Sequence, residues 1–182
     1  HLQAKGPVAA TFDLLQPLHA DEQARKKLVG TVELKGAQLA ETRWDLVFDN
    51  VRGKAKYDDG GFASGPLQVV HEGQPGVLGL RAGSGTRDRN QVFEADLSAV
   101  VDADRPLDRA PEMAWLKPYM DGRSEWTVGV SIPRTPAGAV SPPTQLSLTS
   151  DLVGTAMSLP APMRKSPATP LATTVRAPLP MG

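Results

Sequence analysis

The sequence predicts a mainly β fold: an antiparallel, strongly twisted or curled sheet of about eleven short strands with one short helix. Apolar and polar residues alternate along most of the chain, as they do in strands with one buried face. Turn signals recur about every ten residues, which is typical of an antiparallel meander. The 17 glycines and 17 prolines among 182 residues exceed the average combined share of about 12 %. Such a sheet can form an open groove or a sandwich-like core, and the pattern does not distinguish the two.

Alternation predicts seven strands before the helix. They cover residues 7–14, 28–35, 44–48, 54–57, 67–71, 78–82 and 93–99. Residues 16–27 are polar and lack an apolar stripe, so we expect a loop there. Asn50 and Gly53 indicate a connection between the third and fourth of these strands.

Two short segments between strands carry the signals of tight turns. Asp-Asp-Gly-Gly at residues 58–61 predicts a hairpin, because Asp-Gly and Gly-Gly supply the positive φ angles that such turns need. Glu-Gly-Gln-Pro-Gly at residues 72–76 predicts a second turn. The longer loop at residues 83–90 precedes the strand at 93–99.

The strand pattern is interrupted once, and a short helix is predicted near residues 108–121. Pro111 suits a first helical position, Glu112 favours the N-terminal end and Gly122 suits the stop. Met113 and Leu116 lie on one face of this helix together with Met120. We therefore expect three sections of one continuous structural unit, at residues 1–104, 105–122 and 123–182.

After the helix, alternation predicts strands at residues 126–132, 145–159 and 171–177, with a Pro-rich tail. A loop at residues 133–143 separates the first two. The parity of the second strand slips at Gly154, which indicates a bulge or a sharp bend. Pro160 and Pro162 then end that strand, because proline cannot donate to a ladder.

Composition excludes several classes of protein. The absence of cysteine excludes disulfides, thiolate metal sites and a cysteine nucleophile. A formal net charge of zero and 5 % aromatic residues argue against a nucleic-acid partner. No apolar run approaches the roughly 20 residues of a membrane helix. The chain starts at His1 without a signal core, so we expect it to be a piece of a longer protein.

Motifs for catalysis or metal binding are absent from the sequence. The histidines His1, His19 and His71 are scattered, and His71 is expected to be a hydrogen-bonded core or edge residue. Asp58 and Asp59 lack the spaced ligands of a calcium loop. The glycine-rich segments 61–65 and 83–87 match neither a nucleophile elbow nor a P-loop. We therefore predict no enzyme, no cofactor and no metal, and expect residues 87–89 to be a solvated loop tip.

Apolar stripes remain as the candidate functional surface. Burying each large side chain contributes roughly 1.5–3 kcal/mol, so these stripes need a cover. That cover is either an ordinary closed core or an apolar ligand in a groove. The candidate groove-lining residues are Trp44, Leu46, Phe48, Trp126, Val128, Val130, Leu146, Leu148 and Leu152.

Three motifs in the second half resemble the YhdP family of large AsmA-like proteins of Gram-negative envelopes. They are Gly-x-x-x-Trp at residues 122–126, Ser-Asp-Leu-x-Gly at 150–154 and Leu-Pro-x-Pro-Leu-x-Lys at 159–165. Met163 replaces the family's more usual leucine in the last motif. The resemblance implies kinship with TamB and other bridge-like lipid-transfer proteins, whose β-sheet curls into a groove for phospholipids. It brings no catalytic residues and no specific lipid contact.

The same resemblance implies a location and partners. The chain would be a periplasmic segment of a protein anchored in the inner membrane by a part outside this sequence. Its partners would be phospholipid and neighbouring segments of the same chain, with membrane contact only through those other parts. Two alternatives remain open: a structural β-domain with a closed core and no ligand, and an accessory domain of a secreted hydrolase.

Overall fold

A computed structural model of the chain describes residues 2–15, 27–42, 46–109 and 111–179. Across these residues twelve strands form a single sheet, accompanied by two 3-10 helices. The mainly β, antiparallel fold class is confirmed.

The strands are numbered in chain order. They are β1 Leu2–Lys5, β2 Val8–Leu15, β3 Lys27–Glu41, β4 Leu46–Asp58, β5 Gly61–Ser64, β6 Leu67–His71, β7 Gln74–Gly83, β8 Gln91–Asp102, β9 Met120–Pro133, β10 Thr144–Ser150, β11 Thr155–Met157 and β12 Thr173–Leu179. The 3-10 helices are Arg105–Arg109 and Pro111–Tyr119.

The sheet is an antiparallel meander. At three places, two strands pair with different parts of the same neighbouring strand. β1 and β2 both pair with β3, β5 and β6 lie between β4 and β7, and β10 and β11 both pair with β9. Of the remaining neighbours, β3–β4, β7–β8 and β8–β9 follow one another in the chain, whereas β12 pairs with β10 although β11 lies between them in the sequence. β8 and β9 pair directly on either side of the helical segment, so one sheet continues through it.

A line of irregular backbone crosses the first half of this sheet and bends it. Gly6, Gly36 and Gly53 have φ angles of 115°, 92° and 145°, which L-residues with a Cβ rarely adopt. They lie on adjacent strand positions, next to the break between β5 and β6 and the register shifts between β3 and β4. Bulges and glycine kinks aligned on neighbouring strands increase twist and curvature. The curl of the sheet therefore has a local backbone cause.

β4 differs from the sequence-based expectation. Asn50 and Gly53 do not mark a connection, because Leu46–Asp58 is one continuous strand. Asn50 has a φ of 52° and sits at a bulge, where the side-chain parity shifts by one. As a result Phe48 and Val51 are both buried in the same core cluster, although their parities differ. A prediction based on strict alternation of apolar and polar residues does not detect this shift.

The described part of the helical segment is 3-10 rather than α-helical, at Arg105–Arg109 and Pro111–Tyr119. Pro118 lies inside the second helix, where it removes a hydrogen-bond donor. Leu116 is buried, whereas Met113 is exposed, so the expected apolar face is only partly used. The Lys117 ammonium donates a hydrogen bond to the Asp108 carboxylate, and that bond with the positive charge lowers the pKa of Asp108.

Both tight turns are found as predicted. Asp58 pairs with Gly61 across the first turn, and its Oδ1 accepts hydrogen bonds from the backbone N–H groups of Gly60 and Gly61 at 2.8 and 2.9 Å. In the second, His71 pairs with Gln74, and Glu72 and Gly73 both have positive φ angles. Two consecutive positive φ angles give the hairpin turn that matches strand twist.

Most of the buried apolar residues fall into two clusters. The larger joins β3, β4, β6 and β7 on one face of the sheet, and its members are Leu39, Phe48, Val51, Leu67, Val69, Leu78 and Leu80. The smaller holds the 3-10 helices against the end of β9 through Leu107, Leu116 and Leu159, with Met120 and Met157 beside them.

Candidate functional site

One apolar row runs without interruption across six adjacent strands. Register pairing places Leu67 opposite Leu78, Leu78 opposite Leu97 and Leu97 opposite Val128. The row then continues through Leu148 to Val175. Directly paired residues point to the same side of a sheet, so these six side chains form one surface.

Parallel rows extend this surface in both directions along the strands. One row contains Leu80, Ala95, Val130, Leu146 and Ala177, and the next contains Phe62, Ala82, Phe93 and Ile132. On the other side of the central row, Ala99 pairs with Trp126. We call the surface made by these rows the apolar face.

The opposite side of the same strands is polar. Arg81 and Asp96 form an ion pair at 2.5 Å, and the hydroxyl groups of Ser98 and Thr127 lie 2.8 Å apart. Thr149 and Arg176 are exposed on that side of β10 and β12. The strands from β7 to β12 therefore have one mainly apolar and one mainly polar side, and the exposed Val77 and Val100 are exceptions on the polar side.

Side chains of the apolar face are buried at its centre and become exposed toward its edges. Leu67 and Leu78 are only 1 % and 3 % exposed, whereas Phe12 in β2 and Val175 in β12 are 53 % and 51 % exposed. The described residues form one hydrogen-bonded sheet. The apolar side chains at its centre are buried, and both of its edges present apolar side chains to solvent.

Most of the candidate lining residues lie together on this surface. Trp126, Val128, Val130, Leu146 and Leu148 occupy adjacent positions of β9 and β10. Leu46 and Phe48 belong to the larger core cluster on the same sheet. Trp44 lies outside the described residues. Leu152 is placed in the turn after β10, where it is buried and has a φ of 53°.

Sequence reasoning did not single out the central residues of the face. Leu67, Leu78 and Leu97 alternate as clearly as the candidates, but nothing in one sequence shows that they share a row with Val128 and Leu148. Strand register carries that information. The signal that could have found them is the equal spacing of several apolar strands joined by short turns.

The three sequence motifs converge at one point, which we call the junction: residues 122–125, 150–155 and Lys165. Here β10 ends and β11 begins, while β9 runs past both. Ser150 Oγ donates to the Glu125 carbonyl at 2.7 Å and accepts from Leu152 N at 3.0 Å. The bent strand expected around Gly154 is therefore found as two strands with a turn between them.

Close backbone contact and a buried cation complete the junction. A Cβ on Gly154 would lie 2.1 Å from the Arg123 carbonyl oxygen, and one on Gly122 would lie 2.2 Å from that of Gly154. The Lys165 side chain is buried, and its Nζ donates to the carbonyls of Leu152, Thr155 and Ser166 at 2.7, 2.7 and 3.1 Å. These contacts organise the bend rather than expose a reactive group.

The described part of the chain shows no grouping suited to metal chemistry. No three His, Asp or Glu side chains come together as metal ligands within residues 2–15, 27–42, 46–109 and 111–179. His71 lies at a strand end, where its Nδ1 is 2.8 Å from the Val47 carbonyl and its ring is 5.1 Å from that of Phe48. This is the hydrogen-bonded edge position expected from sequence.

Among the described residues, no helix has the length and apolar character required to cross a bilayer.

The fold and the apolar face together define a class: a single twelve-stranded antiparallel β-sheet with an extended apolar face. A family model described as YhdP protein matches residues 1–179. The chain belongs to the YhdP family, an envelope protein family that is associated with lipid transport and is not a known enzyme family. Comparison with curated proteins and with solved structures gives no significant match.

Proposed function

We propose that the apolar face holds phospholipid acyl chains and is one section of a groove that carries lipids between the inner and outer membranes. The observation that carries this proposal is the uninterrupted row from Leu67 to Val175 across six strands. With strands about 4.8 Å apart, this row is roughly 24 Å long. That length is comparable to an extended acyl chain.

The free energy gained by burying acyl chains supports the same proposed function. Each buried methylene group contributes about 0.8 kcal/mol, so one acyl chain gains many kcal/mol by leaving water. The polar side of the sheet carries paired charges and hydroxyl groups and suits water. The protein therefore needs only to shield the acyl chains from water and leave the headgroups hydrated. Neither task requires a catalytic group.

Membership of the family supports a proposal about the setting of the groove. We place the chain in the periplasm, as part of a protein anchored in the inner membrane through residues outside this sequence. Its edges fit this arrangement, because exposed apolar residues on β2 and β12, including Phe12 and Val175, continue the apolar face to both ends. Neighbouring segments of the same protein would extend the groove there. The competing function is a scaffold whose face is closed by other protein.

A charge placed on the apolar face tests the proposal. Leu148→Asp is expected to lower the amount of co-purifying phospholipid at least about tenfold, because an unpaired carboxylate on an apolar surface opposes acyl-chain binding. Native mass spectrometry of the purified chain measures bound lipid directly. Thr149→Asp is the matched control, since the neighbouring residue is exposed on the polar side.

The control variant should keep the lipid content of the wild type, and circular dichroism should show the same β content in both variants. A wild-type chain that retains no phospholipid, or a Leu148→Asp chain that retains as much as the wild type, would contradict the proposed function.

A further inference from the structure

Two buried side-chain polar atoms have no hydrogen-bond partner in the described part of the chain: Gln91 Oε1 and Trp126 Nε1. Buried polar groups are almost always bonded, because an unpaired one away from water costs free energy. A buried tryptophan usually finds an acceptor for its indole N–H. An exception of this kind needs a physical explanation, and one such explanation is an acceptor that arrives with a ligand.

Trp126 lies on the apolar face. It pairs in register with Ala99 of β8, and it is two residues from Val128, so the side chains of Trp126 and Val128 point to the same side of β9. Its row continues through Gly76 of β7 to Val69 of β6. The indole is the bulkiest group of this row, and the two residues nearest to it have a methyl group or no side chain at all.

Polar groups begin immediately beyond Trp126. Ser124, two residues earlier in β9, is buried, and its hydroxyl accepts a hydrogen bond from the Thr155 hydroxyl at 3.1 Å. The Ser150 hydroxyl donates to the Glu125 carbonyl at 2.7 Å. These hydroxyl groups have partners within the protein, whereas the indole N–H has none. Trp126 therefore marks the boundary between the aliphatic rows and the polar junction.

The indole ring is partly accessible from the open side of the face. Trp126 as a whole is half-buried, although its Nε1 is buried. Rotation about the bond that carries an aromatic ring has broad minima, so the ring can turn without leaving its position on the strand. A ligand on the apolar face therefore contacts the ring directly, and a turn of the ring brings the N–H to that ligand.

An acyl ester supplies the acceptor that this donor lacks. The ester carbonyl oxygen accepts hydrogen bonds and brings no donor, so it suits Trp126 Nε1 and does not suit Gln91 Oε1, which is itself an acceptor. Ala99 and Val128, which flank the indole in register, are uncharged. A neutral N–H group in such surroundings can bond a neutral carbonyl without burying a charge. The ester lies where an acyl chain ends, as Trp126 lies where the aliphatic rows end.

We propose that Trp126 Nε1 donates a hydrogen bond to the ester carbonyl oxygen of an acyl chain that lies on the apolar face. This inference rests on the proposed function and adds a specific polar contact to it. The contact sets the orientation of the ligand: the ester end lies at Trp126, beside the junction, and the methyl end extends over the leucine and valine side chains of the rows.

Two lipids that differ only at the carbonyl test the inference: 1-oleoyl lysophosphatidylglycerol, which has the ester, and its oleyl ether analogue, which lacks the carbonyl oxygen. The wild-type chain should bind the ester about fivefold more tightly, as expected for one neutral hydrogen bond. Trp126→Phe keeps an apolar ring and removes the N–H, so it should bind both lipids equally, with the wild-type affinity for the ether. Displacement of the fluorescent probe N-phenylnaphthylamine gives the dissociation constants.

Trp115→Phe is the matched control. Trp115 lies on the second 3-10 helix and is 57 % exposed, away from the rows of the apolar face. This variant should keep the fivefold preference for the ester. Loss of the preference in both variants would show that it does not depend on the Trp126 N–H and would overturn the contact.

Nuclear magnetic resonance of the indole N–H groups gives a second measurement on the unaltered chain, so that the result does not depend on the folding of a variant. The indole proton of Trp126 should move downfield when the ester lipid binds, because it enters a hydrogen bond, and should not do so with the ether lipid. An equal downfield shift with both lipids would contradict the inference.

Other outcomes separate the inference from the function beneath it. Equal binding of ester and ether by the wild type overturns the hydrogen bond while the apolar face stands. Binding of neither lipid overturns the proposed function itself. Oleate, which carries carboxylate oxygens on the same chain, is a third arm: if it binds more tightly than the ester lipid and Trp126→Phe removes that advantage, the acceptor belongs to a free fatty acid and the ester assignment is wrong.

Discussion

Gly154→Ala is expected to destabilise the chain by about 3 kcal/mol or more, the largest effect of any small substitution considered. Gly154 has a φ of 95°, and its added Cβ would lie 2.1 Å from the Arg123 carbonyl oxygen. Arg123 N also donates to the Gly154 carbonyl at 3.3 Å, so the two backbones cannot separate without losing this bond. Urea unfolding followed by circular dichroism measures the change.

Gly73→Ala is the matched control for this substitution. Gly73 also has a positive φ, of 76°, but a Cβ there meets no atom within 4 Å. It should therefore lose only about 1 kcal/mol, the cost of a left-handed conformation. Equal losses in the two variants would show that backbone strain alone, and not the close approach at the junction, accounts for the Gly154 effect.

Lys165→Met is expected to cost about 3 kcal/mol. The substitution keeps an unbranched apolar stem of similar length and removes the ammonium group, which leaves the Leu152, Thr155 and Ser166 carbonyls without this donor. Buried carbonyls that lose a charged donor carry the full cost of their desolvation. Thermal and urea unfolding should both show the loss.

The neighbouring residue provides the control. Arg164 is exposed, and Arg164→Met removes the same formal charge. Its effect should stay within about 0.5 kcal/mol, as for most surface substitutions. If Arg164→Met and Lys165→Met destabilise equally, the three carbonyl contacts do not hold the junction together.

These two expectations assign a structural role to the motifs that resemble the family. Ser150, Gly154 and Lys165 each hydrogen-bond nearby backbone groups around a bend. The bend ends β10 and lets β11 pair with the far end of β9. Motif residues of this kind fix the shape of the sheet, whereas lipid contact needs only apolar side chains of suitable size. Of the motif residues, Trp126 and Leu152 are also candidate lining residues, and of these two Trp126 lies on the apolar face while Leu152 lies in the turn after β10.

The sequence predicted what depends on local chemistry. Alternation located most strands, and the Asp58–Gly61 and Glu72–Gly73 turns follow from the positive φ angles that glycine permits. The helical segment was placed correctly, and its described residues are 3-10 rather than α-helical. Val128, Val130 and Leu148 were recognised as one-sided apolar residues.

What could not be predicted depends on contacts between distant strands. The bulge at Asn50 shifts the parity of β4, and the sharing of one sheet position by β5 and β6 follows from pairing with β4 and β7. Trp126 lies beside Ala99 only after β8 and β9 pair. Register also decides that the apolar residues of six strands form one row, which gives the site its extent.

Photo-crosslinking at neighbouring residues of β12 tests the central claim most directly. Val175 lies on the apolar face opposite Leu148, and Arg176 lies on the polar side opposite Ser147; both are exposed and tolerate a bulky group. Benzoylphenylalanine placed at Val175 in cells should yield a phospholipid adduct after irradiation, and at Arg176 none. Equal lipid adducts at both positions, or a protein adduct without lipid at Val175, would contradict the account.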